Sequence, residues 1–310
     1  MSSNIKKRTY ADEDIESYPY MDSIGLVDFE NITIVIPTLN EEEAIPLVIK
    51  DVLTQGFENI IVVDGKSVDK TVENAEKYKV KILEQEGLGK TGAIATALKH
   101  IKTPHLALID GDCTYGAKDI ERLMPLLANY DEVIGVRTKG RENISRLNRF
   151  GNWLINKTFN IFFGTNLTDV CSGLYLLNTE FAKKIIFRTE GFDVEVEIAA
   201  NAASKGTIAE TPIDFFSRVG DQKLEPFSDG AKILTTIVKS AMLFHPLRAL
   251  SLAAILLLFP GIIFLSYPFI FNFLSIELSS YFIGILLIVL AIQGITLYLV
   301  DIRIAKMRHL

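Results

Sequence analysis

No charged residue stands between positions 250 and 273, and none again between 278 and 300. Each run exceeds the roughly twenty apolar residues that an α-helix needs to cross a bilayer. Two such runs in succession, joined near Glu277, read as a transmembrane helical hairpin. Pro260, Gly261 and Pro268 interrupt the first run, and membrane helices tolerate them. The linker carries no lysine or arginine, whereas Arg248 precedes the pair and Arg303, Lys306 and Arg308 follow it. An excess of cations at both ends places those ends, and everything ahead of them, on the cytoplasmic face of a cell membrane. The hairpin and a short basic tail are therefore expected over 247–310, behind an amphipathic juxtamembrane helix over 228–246.

The hairpin explains how a chain that is 23% charged reaches a mean hydropathy of +0.27. The net charge of -6 argues against a general nucleic-acid binder. Cys113 and Cys171 are far apart and form no CxxC, so neither a disulfide framework nor a redox motif is expected. His100, His105, His245 and His309 show no zinc-ligand spacing. Residues 1–30 are polar, lack an apolar signal core and read as a flexible arm.

Residues 31–227 alternate strand and helix patterns. Residues 32–37 form a first strand stopped by Pro37, and a polar turn leads to a helix over 43–54 with Pro46 in its first turn. Residues 59–63, 80–83, 106–109 and 132–136 read as further strands, with helices opening after 67–71, running from the 87–92 loop to Ile101, and spanning 118–127. Apolar runs at 174–177 and 208–215 follow. Such alternation implies βαβ units and a mostly parallel sheet. Open α/β sheets bind ligands at the carboxyl ends of their strands, where this chain carries Asp64, Asp110, Asp112 and Arg137.

The fourth strand ends in Asp110-Gly111-Asp112. Two carboxylates this close repel unless a cation lies between them, and a divalent metal holding a diphosphate is one solution. Alternatively, one of them caps the helix near Ala117 or closes a turn with Gly111. Gly89-Lys90-Thr91 resembles the end of a P-loop, but Glu84 stands where that motif requires glycine. Lys90 remains either a point charge for phosphate or a solvated lysine at a helix start. Arg141, Arg146, Arg149 and Lys157 interleave with Ile144, Leu147, Phe150, Leu154 and Phe159 at helical spacing. That pattern is a helix lying on a membrane surface or one packed on the sheet. Residues 193–197 place three acids on one strand face, or Asp193 and Glu197 on one helix face; the alanine-rich continuation favours helix. Arg218 and Lys223 lie in a glycine-containing loop, either a lid closing on phosphates or solvated charges.

Residues 34–41 (IVIPTLNE), 62–71 (VVDGKSVDKT) and 110–112 (DGD) resemble the opening motifs of family 2 glycosyltransferases with the GT-A fold. Residues 133–137 (VIGVR), 169–173 (DVCSG) and 212–215 (PIDF), with Arg218 and Lys223, resemble the branch that glycosylates dolichyl or polyprenyl phosphate. The likeness runs from 32 to 227. It implies an α/β head with a Rossmann-like, mostly parallel sheet on the C-terminal hairpin, and inverting transfer from a nucleotide-sugar donor to a lipid phosphate. UDP-GlcNAc or UDP-glucose is the foremost donor, with GDP-mannose the close competitor. Pro37, Glu41, Asp64, Lys90, Asp110, Arg218 and Lys223 would hold the nucleotide-sugar. Asp112 and Asp110 would hold Mg²⁺ or Mn²⁺; Arg137, Arg146 and Arg149 would bind the lipid phosphate. Asp110, Asp112 and Arg137 would carry the catalysis. Leu39 stands where many relatives have an aromatic residue, and Thr114 where some mannosyl enzymes have a metal-binding glutamine. Asp193, Glu195 and Glu197 are candidates for sugar contacts. A glycosyltransferase acting on another lipid, such as diacylglycerol, and a non-catalytic nucleotide-binding membrane tether are the competing readings.

Overall fold

The computed structural model describes residues 28–220, 225–271 and 278–308. The expected arm falls outside them up to residue 27, as does Lys223. Seven strands form one sheet: β1 (Ile32–Thr38), β2 (Ile60–Asp64), β3 (Lys81–Glu84), β4 (His105–Leu108), β5 (Glu132–Lys139), β6 (Tyr175–Asn178) and β7 (Ile208–Asp214). Their spatial order is β3-β2-β1-β4-β6-β5-β7. All pairs run parallel except those of β6, which lies antiparallel between β4 and β5. The reversal has a local cause. The 168–174 loop is tied down at the carboxyl edge of the sheet, so the chain enters β6 from that edge, with Tyr175 opposite Leu108.

The helices are α1 (Ile45–Thr54), α2 (Thr71–Glu76), α3 (Gly89–Leu98), α4 (Lys118–Leu123), α5 (Arg146–Phe163), α6 (Thr179–Lys183), α7 (Val194–Lys205), α8 (Pro226–Phe244), α9 (Pro246–Ile255), α10 (Leu258–Phe271) and α11 (Leu278–Arg308). Strand β1 shows why the sheet has two cores. Ile32, Ile34 and Ile36 pack with Ile45, Ile49 and Ile120 of α1 and α4. Val35, on the other face, joins Ile94, Phe159, Val196 and Ile237 of α3, α5, α7 and α8. A strand apolar on both faces belongs in the middle of a helix-covered sheet. Each of these large side chains contributes roughly 1.5–3 kcal/mol by leaving water.

Two prolines act differently from the sequence expectation. Pro37 does not stop β1, which continues to Thr38 opposite Asp64. The N–H of Ile34 points to β2 and the carbonyl of Val35 to β4. Odd positions thus face β4, whose pairing ends at Val35, so proline at 37 removes no ladder bond. The helix expected over 118–127 is α-helical only to Leu123 and finishes as a 3₁₀ turn over Met124–Ala128. Pro125 has no N–H to continue the α-helical pattern.

Helix α5 packs on the sheet through one side and leaves apolar residues exposed on the other. Ile155, Phe159 and Phe163 are buried on the sheet, while Leu147, Phe150, Trp153 and Leu154 are exposed. Helix α8 likewise buries Ile233, Ile237 and Ala241 in the head core and exposes Val238, Met242 and Leu243.

The C-terminal helices contain two candidate membrane spans, Pro246–Ser266 and Tyr281–Val300, with hydropathies of 2.4 and 2.5. Only 17% of each span window is buried inside the protein, unlike the core helix of a soluble domain. The first span is broken between α9 and α10. Pro260 cannot donate to the carbonyl of Leu256, and the helix gives way at that turn. Close packing holds the pair: a Cβ at Gly294 would sit 2.6 Å from Ala254 Cβ, and one at Gly284 would sit 2.8 Å from Leu265 Cγ. The hairpin root is tied to the head. Arg248 is buried and donates to the Phe162 carbonyl at 3.3 Å, in the last turn of α5, where a cation complements the helix dipole. His245 packs edge-on against Phe163 and lies 3.1 Å from the Ser204 hydroxyl.

Candidate active site

Strand β4 delivers the Asp110-Gly111-Asp112 turn to the carboxyl edge, one strand from the end of β1. Gly111 passes close to β1: a Cβ there would come to 3.2 Å from the Pro37 carbonyl, tight enough that the neighbouring backbone would have to give by a few tenths of an ångström. Cys113, the next residue after Asp112, has φ 64°, a left-handed backbone that is uncommon for a side-chain-bearing residue. Asp112 Oδ1 accepts from the Thr114 N–H at 3.0 Å and from its hydroxyl at 2.5 Å. The helix-cap alternative falls, since Asp51 of α1 accepts the Ala117 N–H at 2.7 Å.

Each acid of the pair has its own cation. Lys90 reaches Asp110 Oδ1 at 2.5 Å and Glu195 Oε1 at 2.5 Å. Its side chain is only 9% exposed, so it is not a solvated lysine. Burial pulls its ammonium pKa down, but Asp110 and Glu195 outweigh that and hold it well above the usual lysine value. Burial raises the Asp110 carboxyl, with Lys90 opposing. A Cβ at Gly173 would come within 2.0 Å of Asp110 Oδ2, so the 169–173 loop closes against this acid only with glycine there. Arg218 bridges Asp112 Oδ2 at 3.0 Å and Glu41 Oε1 at 2.6 Å. The backbone of its loop also crosses the acid turn, with Val219 N–H on the Asp112 carbonyl and Phe216 N–H on that of Thr114.

Asp64 shapes its own loop. Its Oδ2 accepts from the N–H groups of Lys66 and Ser67 at 2.9 and 3.0 Å, and its Oδ1 from the Ser67 hydroxyl at 2.5 Å. Ser67 Oγ in turn accepts the Asn40 N–H, and Asn40 Oδ1 the Val68 N–H, both at 2.8 Å. The 38–42 and 64–71 loops thus form one wall, with Leu39 exposed on it.

Arg137, at the end of β5, forms a two-pronged pair with Asp169: Nε to Oδ2 at 2.7 Å and Nη2 to Oδ1 at 2.5 Å. Burial works against its charge, but Tyr115 and Asp169 keep its pKa well above the ordinary guanidinium value. Glu210 of β7 accepts the Thr168 and Asp169 N–H groups at 2.8 and 3.0 Å and so fixes the loop. A cavity of about 370 Å³ opens beside this pair, lined by Arg137, Arg141, Arg149 and Lys157 with Trp153 and Asn156 among others. Arg146 does not line it; it is exposed in the first turn of α5. Arg141 takes that place.

Of the expected residues, the fold gathers Lys90 with Asp110 and Arg218 with Glu41 and Asp112 into two ion-pair clusters on adjacent acids of one turn, with Pro37 against Gly111 and Arg137 and Arg149 in the neighbouring cavity. Residues 193–197 open a helix, and their acids diverge: Asp193 accepts from Thr236, Glu195 pairs with Lys90, and Glu197 accepts from Arg188 and Thr189. Sequence reasoning did not single out the parts played by Asp169 and Glu210. The sole sequence signal was the place of Asp169 in the 169–173 motif. Neither thiol is a nucleophile near neutral pH: burial, then the charge of Asp112, pushes Cys113 up to about 11, and burial pushes Cys171 to about 12.

Among the described residues no group of three or more His, Cys, Asp or Glu could hold a metal ion. Asp110 and Asp112 offer hard oxygen donors only. That suits Mg²⁺ or Mn²⁺ bound by one or two carboxylates, with substrate phosphates completing the shell, and does not suit an all-protein cage.

The family described as Glycosyl transferase family 2 matches residues 33–186. Glycosyltransferase AglJ of Haloferax volcanii is 35% identical over 223 residues, covering 70% of this chain and 74% of AglJ. A dolichyl-phosphate hexose transferase of the same organism is 35% identical over 216 residues, covering 68% of this chain and 94% of the relative. Among solved structures, glucosyl-3-phosphoglycerate synthase from Mycobacterium tuberculosis, in complex with Mn²⁺, UDP and phosphoglyceric acid, superposes with a TM-score of 0.58 at 19% identity. The match covers 68% of this chain and 78% of that one. At that identity the likeness speaks to the fold, a GT-A-like α/β head.

Proposed function

The chain belongs to glycosyl transferase family 2, and on that footing we propose that it transfers a sugar from a nucleotide-sugar to dolichyl or polyprenyl phosphate at the cytoplasmic membrane face. The observation that carries this reading is the pairing of two charged sites on one sheet edge. The Asp110/Asp112 turn, with its two cations, suits a diphosphate. Beside it, the Arg137 cavity gathers four cations on a head rooted in two apolar helices. A soluble anionic donor and a lipid-borne anionic acceptor fit those two sites. The named relatives, a glycosyltransferase and a dolichyl-phosphate hexose transferase, support a hexose as the sugar. UDP-glucose and UDP-GlcNAc are the donors proposed, with GDP-mannose the competitor.

The reaction is a single inverting displacement. An acceptor phosphate oxygen forms the new bond to the anomeric carbon, and the bond from that carbon to the diphosphate oxygen breaks, its electron pair leaving with the nucleoside diphosphate. A phosphate monoester has a second pKa near 6 and is already largely dianionic at neutral pH, so no strong general base is required. Arg137, with Arg141 and Arg149, holds that phosphate. Arg218 and Lys90 offset the donor's charge, and Glu41 orients Arg218. Pro37 and Asp64 complete the donor site, a role that the resemblance also gives to Lys223. A divalent cation at Asp112 and Asp110 would supply further charge neutralisation to the leaving diphosphate.

Membranes containing the protein, given UDP-glucose, UDP-GlcNAc or GDP-mannose, are expected to release nucleoside diphosphate only when dolichyl or polyprenyl phosphate is added. Asp112→Asn is expected to lose at least about a hundredfold of that activity while remaining folded. Equal release with diacylglycerol as acceptor would overturn the acceptor assignment. Full activity after chelation would remove the metal from it.

A further inference from the structure

Lys90 is shared between two acids that arrive from different parts of the fold. Asp110 belongs to the proposed diphosphate site. Glu195 lies in the first turn of α7, its side chain 8% exposed. Its place relative to Lys90 is set by direct docking of α3 on the segment ahead of α7. A Cβ at Gly89 would collide with the Glu190 carbonyl at 1.7 Å, and the Thr91 and Thr189 hydroxyls lie 3.1 Å apart. Glu195 therefore sits against Lys90 as a fixed partner. Both of the other two acids of the 193–197 run are spent elsewhere, on Thr236 and on the 188–189 backbone.

We infer that Glu195 is a positioning residue that limits how tightly the nucleoside diphosphate product is held, by competing with it for the Lys90 ammonium. Lys90 is a compact charge on a flexible stem, able to shift between partners. With Asp110 and Glu195 both present, Lys90 is one positive charge facing two negative ones, and an arriving diphosphate feels only part of its field. The pair is buried, so solvent and salt screen it weakly. Removing the charge of Glu195 leaves Lys90 more fully available to phosphate. Product binds more tightly and departs more slowly. Catalysis gains from Lys90 when charge develops on the leaving group; turnover gains from Glu195 when that group must leave.

The inference rests on the nucleotide-donor reading above. Titration calorimetry on the full chain in detergent, with UDP and with GDP, tests both and tells them apart. Glu195→Gln is expected to bind the nucleotide that the wild type binds at least about tenfold more tightly. Donor KM and kcat are expected to fall together, with nucleoside diphosphate becoming a stronger inhibitor. Glu195→Asp keeps the charge but withdraws it by one methylene. It shifts affinity the same way by a smaller amount, and it stands in if the glutamine variant does not fold. Adding Lys90→Met to either variant is expected to abolish the gain. A merely structural Glu195 would weaken binding or leave it unchanged, and either result overturns the inference. A wild type that binds neither nucleotide overturns the donor reading as well.

Discussion

Glu132 opens β5 with only 1% of its surface exposed, and its Oε2 has no hydrogen-bond partner among the described residues. Burial, then the charges of Glu195 and Glu210, pushes its carboxyl well above the ordinary glutamate value of 4.5. The folded state therefore holds a proton that the unfolded chain releases near 4.5, and folding loses stability as pH rises from there towards the raised value. Glu132→Gln removes that dependence. It is expected to leave thermal stability almost unchanged at pH 4 and to raise it by about 1–3 kcal/mol at pH 8. A gain of equal size at both pH values would refute the assignment. The same residue scale shows the reach of sequence reasoning. Asp110, Asp112 and Arg137 were legible because apolar runs end on them. The partnership of Arg137 with Asp169, 32 positions away, was not, because Glu210 of the distant strand β7 has to fix the 168–169 backbone at the sheet edge.

At the level of elements, periodicity located nearly every strand and helix, because burial on one or both faces leaves a repeating apolar trace. The prolines were misread where their consequence depends on neighbours. Pro37 is tolerated where its missing donor faces β4, whose pairing ends at Val35, while pairing with β2 goes on to Thr38. In the hairpin, contact between α9 and α11 depends on the absence of a side chain at Gly294, opposite Ala254 and the Ser251 carbonyl. Gly294→Val is expected to force the helices apart and cost about 1–3 kcal/mol by overpacking. Hydrogen exchange should report faster exchange in α9 and α11 with the head strands unaffected. Unchanged protection in both helices would count against close packing there.

For the whole molecule, the head and hairpin meet at Arg248, His245 and the end of α5. The protein is expected to resist alkaline carbonate extraction. Protease added to inside-out vesicles should degrade the head, whereas right-side-out vesicles should protect it. Protection in the opposite sense would reverse the proposed orientation. Composition and order of residues alone determined the layered α/β head, the two uncharged spans and the acids at the strand ends. These follow from local hydrophobic periodicity, which does not depend on which segments later become neighbours. Only tertiary structure decided that Lys90 is buried between Asp110 and Glu195, that Arg218 bridges Glu41 and Asp112, and that Arg141 rather than Arg146 faces the cavity. Charges declare their sign in a sequence but not their partners, because pairing is set by the packing of distant segments and by the cost of leaving a buried charge alone.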